Sequence, residues 1–285
     1  MNAQRTQQFK YTWEEAIEIL RRSPEHQELI FNAYLTEDIA ANCERFFSSE
    51  EFRAAKALMQ EFSPGKRMLD MPSGNGIATY AFAKSGFDVV AVDPNPSETV
   101  GRGAAAKVLA GAGLRAEIVD AFGESLPFPS ASFDAVYVRQ GLHHAADLPR
   151  MLKEIARVIR PGGVLLACRE HVVDDYDESL QAFLDAQVDH QLYGGEHAFM
   201  LEDYRSAIES AGLVLSREMD PFDSVINMAP SSPEAMQARI LNSRPAKILK
   251  CFLPNRIVVR LGMWWARRRA APGRLYSFLA IKPAT

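Results

Sequence analysis

Cysteine is scarce in this chain. Three occur in 285 residues, Cys43, Cys168 and Cys251, odd in number and far apart. That excludes a disulfide framework and a cysteine-rich metal centre, and it suits a reducing, cytoplasmic compartment. Closely spaced histidines of the His-x-x-x-His kind are missing too, so no metal is expected. No window reaches the roughly 18 consecutive apolar residues of a membrane span. The N-terminus has no basic start leading into an apolar segment, so neither a signal peptide nor stable membrane insertion is expected. An excess of positive charge is also lacking: the net charge is −4. Residues 230–275 nevertheless hold ten Lys or Arg against the single acid Glu234, which leaves the rest of the chain strongly acidic. A general nucleic-acid binder would show a broader positive footprint, so nucleic acid is not an expected partner. Repeats and low-complexity tracts are absent.

What remains is an ordinary globular composition, 47% hydrophobic and 24% charged, long enough for one large domain or one domain with a cap. Residues 1–65 read as a helical lid. Trp13, Ile17 and Leu20 share a face, Ser23-Pro24 starts a second helix, and a third runs from about Ser49 to Glu61. Residues 66–220 alternate apolar strands with helices. Strands are expected at Arg67–Met71, Phe87–Val92, Ala116–Val119, Phe133–Val138, Val164–Cys168 (after a sharp turn at Pro161-Gly162-Gly163) and Leu213–Glu218. Helices are expected at Ile77–Lys84, about Glu98–Leu109, Leu148–Ile159 and Leu201–Ala211. Near-continuous apolar strands separated by helices mean a parallel α/β sheet covered on both faces. Residues 170–198 read as irregular or short-helical, residues 221–270 as a helical cap insertion, and residues 271–285 supply a last strand at Leu275–Ile281.

The chain is organised around Asp70-Met-Pro-Ser-Gly-Asn-Gly76, where a strand ends in an acid and a glycine turn leads into a helix. Gly74 and Gly76 permit close backbone approach, and amides at the helix start can face a ligand. Two further acids stand at strand ends along the same crevice. Asp93, after the second strand, can accept from both hydroxyls of a ribose. Asp120, after the third, can accept from an exocyclic amine. The third glycine of a dinucleotide fingerprint is replaced by Thr79. Asp70 also lies near where a pyrophosphate would sit, so a cationic ligand without phosphates fits better.

As an assembly, Leu69–Gly76 resembles the class I S-adenosylmethionine-dependent methyltransferases of the small-molecule, type 11 kind. The resemblance extends through Val90-Ala-Val-Asp93, Asp120-Ala-Phe122, Leu126-Pro-Phe-Pro129, Ser132-Phe-Asp-Ala-Val136, Leu142-His-His144 and Glu154–Gly163. It implies a Rossmann-like, seven-stranded, mostly parallel sheet whose antiparallel last strand is inserted between the fifth and sixth. It also implies S-adenosyl-L-methionine as cofactor. Asp70 and Gly74 would line its amino-acid part, Asp93 would take the ribose hydroxyls, Asp120 with Ala121 and Phe122 would surround the adenine, and Gln140 would lie under the methionine moiety, with Pro72, Asn75, Gly76 and Pro94 completing the cofactor-binding set. Pro72 departs from the family, which usually has a further glycine there; a proline removes an N–H and stiffens the loop.

Candidate groups for the acceptor follow the fourth and fifth strands: His143, His144, Glu170 and His171, the histidines having a reference pKa near 6.5. The His pair can equally cap the following helix. Tyr193, Glu196 and His197 line the substrate or stabilise their loop, and Phe31 and Tyr34 close over a ligand or cover the sheet edge. The expected function is methyl transfer to a small organic molecule. The alternatives are a lipid or isoprenoid methyltransferase working near a membrane surface, with the basic block as its contact, and a non-catalytic S-adenosylmethionine-binding scaffold. The sequence leaves room for a homodimer.

Overall fold

The computed structural model describes residues 10–269 and 271–284. Four helices come first: α1 (Trp13–Arg22), α2 (Gln27–Asn32, entered through a 3-10 turn at Pro24–His26), α3 (Ile39–Ser48) and α4 (Glu50–Phe62). An alternating core follows with β1 (Arg67–Asp70), α5 (Ile77–Lys84), β2 (Asp88–Val92), α6 (Arg102–Gly111), β3 (Glu117–Val119), β4 (Phe133–Arg139), α7 (Leu148–Val158) and β5 (Ile159–Val173). Beyond it lie α8 (Glu178–Ala186), α9 (Val188–Tyr193), β6 (Phe199–Met200), α10 (Leu201–Ser210), β7 (Val214–Met219), α11 (Val225–Met228), α12 (Pro233–Asn242), α13 (Arg244–Leu249), α14 (Asn255–Arg268) and β8 (Arg274–Ile281).

The strands form one sheet in the order β3-β2-β1-β4-β5-β8-β7, and the two-residue β6 pairs with β5 off this path. β1 to β5 are mutually parallel, whereas β8 runs antiparallel to both neighbours, β5 and β7. The expected Rossmann-like sheet with its inserted antiparallel strand is thus present, with β6 as an addition. Each face has its own core. On one side α7 presents Leu148, Met151, Leu152 and Ile155, a single helical stripe, to Val136, Val138 and Leu165. Asp147 caps that helix by accepting from the Arg150 amide at 3.0 Å. On the other side Phe46, Phe52, Met59 and Phe82 cover Tyr137 and Leu166. Burying each such side chain contributes roughly 1.5–3 kcal/mol.

Several boundaries differ from the sequence reading. α3 has no counterpart in it. The first turn of that helix is capped by Asp38, which accepts from the Ala41 amide. α6 starts at Arg102 rather than about Glu98, because Ser97 Oγ accepts from the Thr99 and Val100 amides and holds that segment as a turn. The Pro161–Gly163 turn is contained within β5, which begins by pairing Ile159 with Phe133 and passes through left-handed Gly162. β5 also outruns its expected end at Cys168. Against β8 it contains a bulge: Ala167 pairs with Phe278 and Glu170 with Tyr276, so Cys168 and Arg169 together oppose Ser277. Arg169 takes φ 61° there, and its amide donates to Ser277 Oγ at 3.0 Å.

α12 to α14 bury little beyond Ala246 and Val258, while Ile248, Phe252, Trp264 and Trp265 are exposed. The Arg268 and Arg269 guanidinium groups lie over the two indole rings at 4.4 and 5.4 Å. Among the described residues no helix is long and apolar enough to cross a membrane.

Candidate functional site

The C-terminal ends of β1, β2 and β3 carry Asp70, Asp93 and Asp120 around one crevice. Asp70 is buried and accepts from Thr79 Oγ1, one turn into α5. Burial pushes its carboxyl up to about 7; the Thr79 hydrogen bond opposes this and the nearby Asp93 charge adds to it. Gly74 and Gly76 have φ of 51° and 87°, the left-handed region that glycine occupies at little cost. A Cβ on Gly76 would stand 2.6 Å from Ala105 Cβ on α6, so this glycine also permits close helix packing. Pro72 packs its ring where a Cβ on Gly141 would come within 2.2 Å of Pro72 Cδ. Between them Ser73 Oγ is buried with no hydrogen-bond partner among the described residues.

Asp93 fastens the loop. Its Oδ2 accepts from the Gly74 amide at 2.7 Å and its Oδ1 from the Asn95 amide at 2.8 Å. Burial raises its pKa, with those two amides opposing. A carboxylate offers about four acceptor positions, so two remain for a vicinal diol. Asn75 turns outward instead and donates to the Tyr34 carbonyl at 2.8 Å, tying the N-terminal helices to the loop. Asp120 is 62% exposed and paired with Arg102 at 2.8 Å. Arg102 in turn donates to the Pro94 carbonyl at 2.7 Å, so it bridges the loops after β2 and β3. Phe122 is exposed, and Ala121 packs against the core. Gln140 sits at φ 50°, and its side-chain oxygen accepts from Arg139 at 2.9 Å.

Beyond β4 and β5 the two remaining groups of candidates merge. His143 Nδ1 lies 2.8 Å from Glu170 Oε2, and Glu170 accepts also from the Gly141 and His143 amides, each at 3.0 Å. Glu196 comes within 3.6 Å of His143 Nε2 and 3.9 Å of His144 Nε2, and it accepts from the Tyr193 hydroxyl at 2.9 Å. His171 packs its ring edge-on to His143, with centroids 4.6 Å apart. Burial would lower the pKa of His143, but Glu170 and Glu196 outweigh it and raise it to about 9. Burial, with the His143 charge, lowers His144 and His171. His197 stands apart against the Phe199 ring. Phe31 and Tyr34 line a separate cavity of about 370 Å³ with Arg45, Glu51 and Ala229, Tyr34 reaching the glycine loop only through its backbone carbonyl.

Sequence reasoning missed four participants: Ser73, Thr79 in its actual role, Arg102, and a buried ionic group. In that group Glu51, 1% exposed, accepts from Arg139 Nε at 2.6 Å and Nη2 at 3.2 Å, with Arg169 Nε at 4.0 Å. A charged residue closing the apolar run Phe133–Arg139 was the one available signal. Glu51, an acid in the first turn of a helix, offered none.

Residues 69–167 match the family described as a methyltransferase domain. A demethylmenaquinone methyltransferase of Mycolicibacterium gilvum is 37% identical over 116 residues, 41% of this chain and 46% of that protein. A sterol 24-C-methyltransferase of Yarrowia lipolytica is 32% identical over 143 residues, 47% of this chain and 37% of that protein. The chain therefore spans less than half the length of these curated relatives. Phosphoethanolamine N-methyltransferase 2 of Haemonchus contortus, solved with phosphomonomethylethanolamine and S-adenosylhomocysteine, superposes with a TM-score of 0.57 at 19% identity. That superposition covers 97% of this chain and 61% of the other, a likeness of fold.

Proposed function

Because this chain has the class I S-adenosylmethionine-dependent methyltransferase fold, we propose that it transfers the methyl group of S-adenosyl-L-methionine to a small organic acceptor. The observation that carries the reading is the arrangement of Asp93: one acceptor position holds the glycine loop through the Gly74 amide, one holds its own loop through the Asn95 amide, and two are left for a ribose. The residues present fit the donor. Asp70 supplies negative charge beside its cationic end, the unpartnered Ser73 hydroxyl meets its polar amino-acid part, and Phe122 covers the adenine while Asp120 accepts from its amine. S-Adenosylmethionine supplies an electrophilic methyl.

The chain's own contribution is orientation and exclusion of water. Asn75 couples the glycine loop to the N-terminal helices through the Tyr34 carbonyl, so donor binding at that loop and the packing of those helices support each other. On the acceptor side His143, His144, Glu170, His171, Tyr193 and Glu196 form a polar wall able to hold an acceptor and take up its proton.

A more apolar acceptor, a lipid or isoprenoid, is favoured by exposed Ile248, Phe252, Trp264 and Trp265 on the cap at 221–270, with arginines beside them. The curated relatives named for demethylmenaquinone and sterol agree with it. Calorimetry with S-adenosylhomocysteine, then donor turnover against a panel of hydroxylated, amine and isoprenoid acceptors, tests the reading. Binding without turnover of any acceptor would leave the scaffold alternative; tight NADH binding with no response to the sulfonium ligand would overturn it.

A further inference from the structure

The acceptor-side cluster has an organisation that methyl transfer alone does not require. Glu170 faces the His143 Nδ1 while accepting two backbone amides, so Nδ1 is the nitrogen that donates to it and Nε2 is turned to Glu196, where a metal ion would take the place of a proton. The same holds for His144. Its Nδ1 lies 2.9 Å from the Gly195 carbonyl, which can only accept, so its Nε2 is left with a lone pair near Glu196. Tyr193 anchors Glu196 in turn. One ligand atom from each of His143, His171 and Glu196 lies within 4.8 Å of the others.

We propose that His143, His171 and Glu196 bind a divalent first-row transition-metal ion, with His144 available as a fourth ligand. His143 fixed by the Glu170 carboxylate, His144 by the Gly195 carbonyl and Glu196 by the Tyr193 hydroxyl have the outer shell that metal ligands need, while His171 is held by its ring contacts with His143 and Phe183. Imidazole donors select zinc, iron, cobalt or nickel over magnesium and calcium, and a two-histidine, one-carboxylate set leaves coordination positions open. Ligand atoms about 2.1 Å from such an ion stand roughly 3.4 Å apart, so the side chains close by about an ångström on binding. Spacing in the sequence conceals the site because its ligands come from three separate segments: the loop after β4, the end of β5 and the loop after α9. Its use in catalysis rests on the methyl-transfer reading: an open position would hold an acceptor oxygen or sulfur as its anion, facing the donor.

The test uses full-length protein without a histidine tag, stripped with a chelator and titrated with Co²⁺ and Zn²⁺ in the absence of donor and acceptor. One equivalent should bind, with the visible absorption of nitrogen- and oxygen-ligated cobalt. His171→Ala and Glu196→Gln should weaken uptake at least about tenfold, and Glu170→Gln about 10- to 100-fold through the orientation of His143. His26→Ala, remote from the cluster, should not change it. Failure of the wild-type protein to take up a stoichiometric ion, or uptake that persists unaltered in folded His171→Ala, overturns the proposal. If that variant does not fold, wild-type stoichiometry and the cobalt spectrum decide. S-Adenosylhomocysteine affinity, measured separately on stripped protein, tests the donor reading on its own.

Discussion

Replacing Asp93 by alanine removes the acceptor that faces both the glycine loop and the proposed ribose. Its two oxygens already receive the Gly74 and Asn95 amides at 2.7 and 2.8 Å, and the two remaining acceptor positions are assigned to the ribose diol. A hydrogen bond to a charged group is worth about 1.5–3 kcal/mol, and the variant site admits water in place of the carboxylate, which favours the low end. Losing two such bonds costs about 3 kcal/mol, or on the order of 100-fold in the dissociation constant of S-adenosylhomocysteine. Calorimetry supplies that constant, and thermal unfolding shows whether the fold survives the loss of the two amide contacts. Ligand fragments separate the causes. 5′-Methylthioadenosine keeps the ribose and should lose a similar factor, whereas free adenine should be nearly unaffected. A folded variant whose S-adenosylhomocysteine affinity falls less than about threefold, or whose adenine affinity falls as much, refutes the assignment.

Other perturbations follow from the same geometry. With Asp70 raised to about 7 by burial, the free protein holds a proton there that a cationic donor expels. Donor affinity should therefore climb as pH rises towards about 7, by up to about tenfold per unit, and level off above it; Asp70→Asn should flatten the curve, read by calorimetry across pH. Burial alone would raise Glu51, but Arg139 and Arg169 hold it below the usual carboxylate range. Glu51→Ala leaves both guanidinium groups without it and should destabilise the fold by about 3–5 kcal/mol in denaturant melts, whereas a loss below about 1 kcal/mol would show the pair to be dispensable. Gly76→Ala forces a side chain into φ 87° and against Ala105. It should cost about 2 kcal/mol of stability and weaken donor binding, measured by melts and calorimetry together.

The crevice at the ends of β1, β2 and β3 was legible in the sequence because its signals are local. An apolar run that stops at an acid marks a strand end, and three in succession mark one edge of a parallel sheet. The glycine pair was legible for the same reason. The acceptor side was visible only as separate parts. His143 and Glu170 stood out as polar residues near the crevice mouth and Glu196 as part of a separate polar loop, but their convergence depends on the path of the chain through α8 and α9, which no periodicity encodes. Asp120 looks wholly free for a ligand in the sequence, whereas in the structure Arg102 occupies its Oδ2, and a ligand amine would be met by the other oxygen. That pairing crosses two loops and has no signature in spacing. α3 escapes a reading by periodicity because Asn42 interrupts its apolar face, although Asn42 is itself buried and bonded to Thr36.

The bulge in β5 has a bearing on how this protein can change. Up to Cys168 the strand alternates regularly, with Leu165 and Ala167 on the α7 side and Leu166 and Cys168 on the α5 side. Arg169 then falls on the same side as Cys168, towards Glu51, and Glu170 returns to the side of His143. Two adjacent, opposite and largely buried charges are thereby sorted to different faces by one surplus residue. Deleting Cys168 would keep every pairing partner in β8 and leave Arg169 and Glu170 on their present faces, whereas a strand of the same length without the bulge would send the arginine towards His143 and the glutamate towards Glu51. Pairing at this point is therefore constrained more tightly than length: the surplus residue opposite Ser277 can be lost with both charges keeping their faces, while a one-residue slip of the strand beyond Ala167 would exchange them.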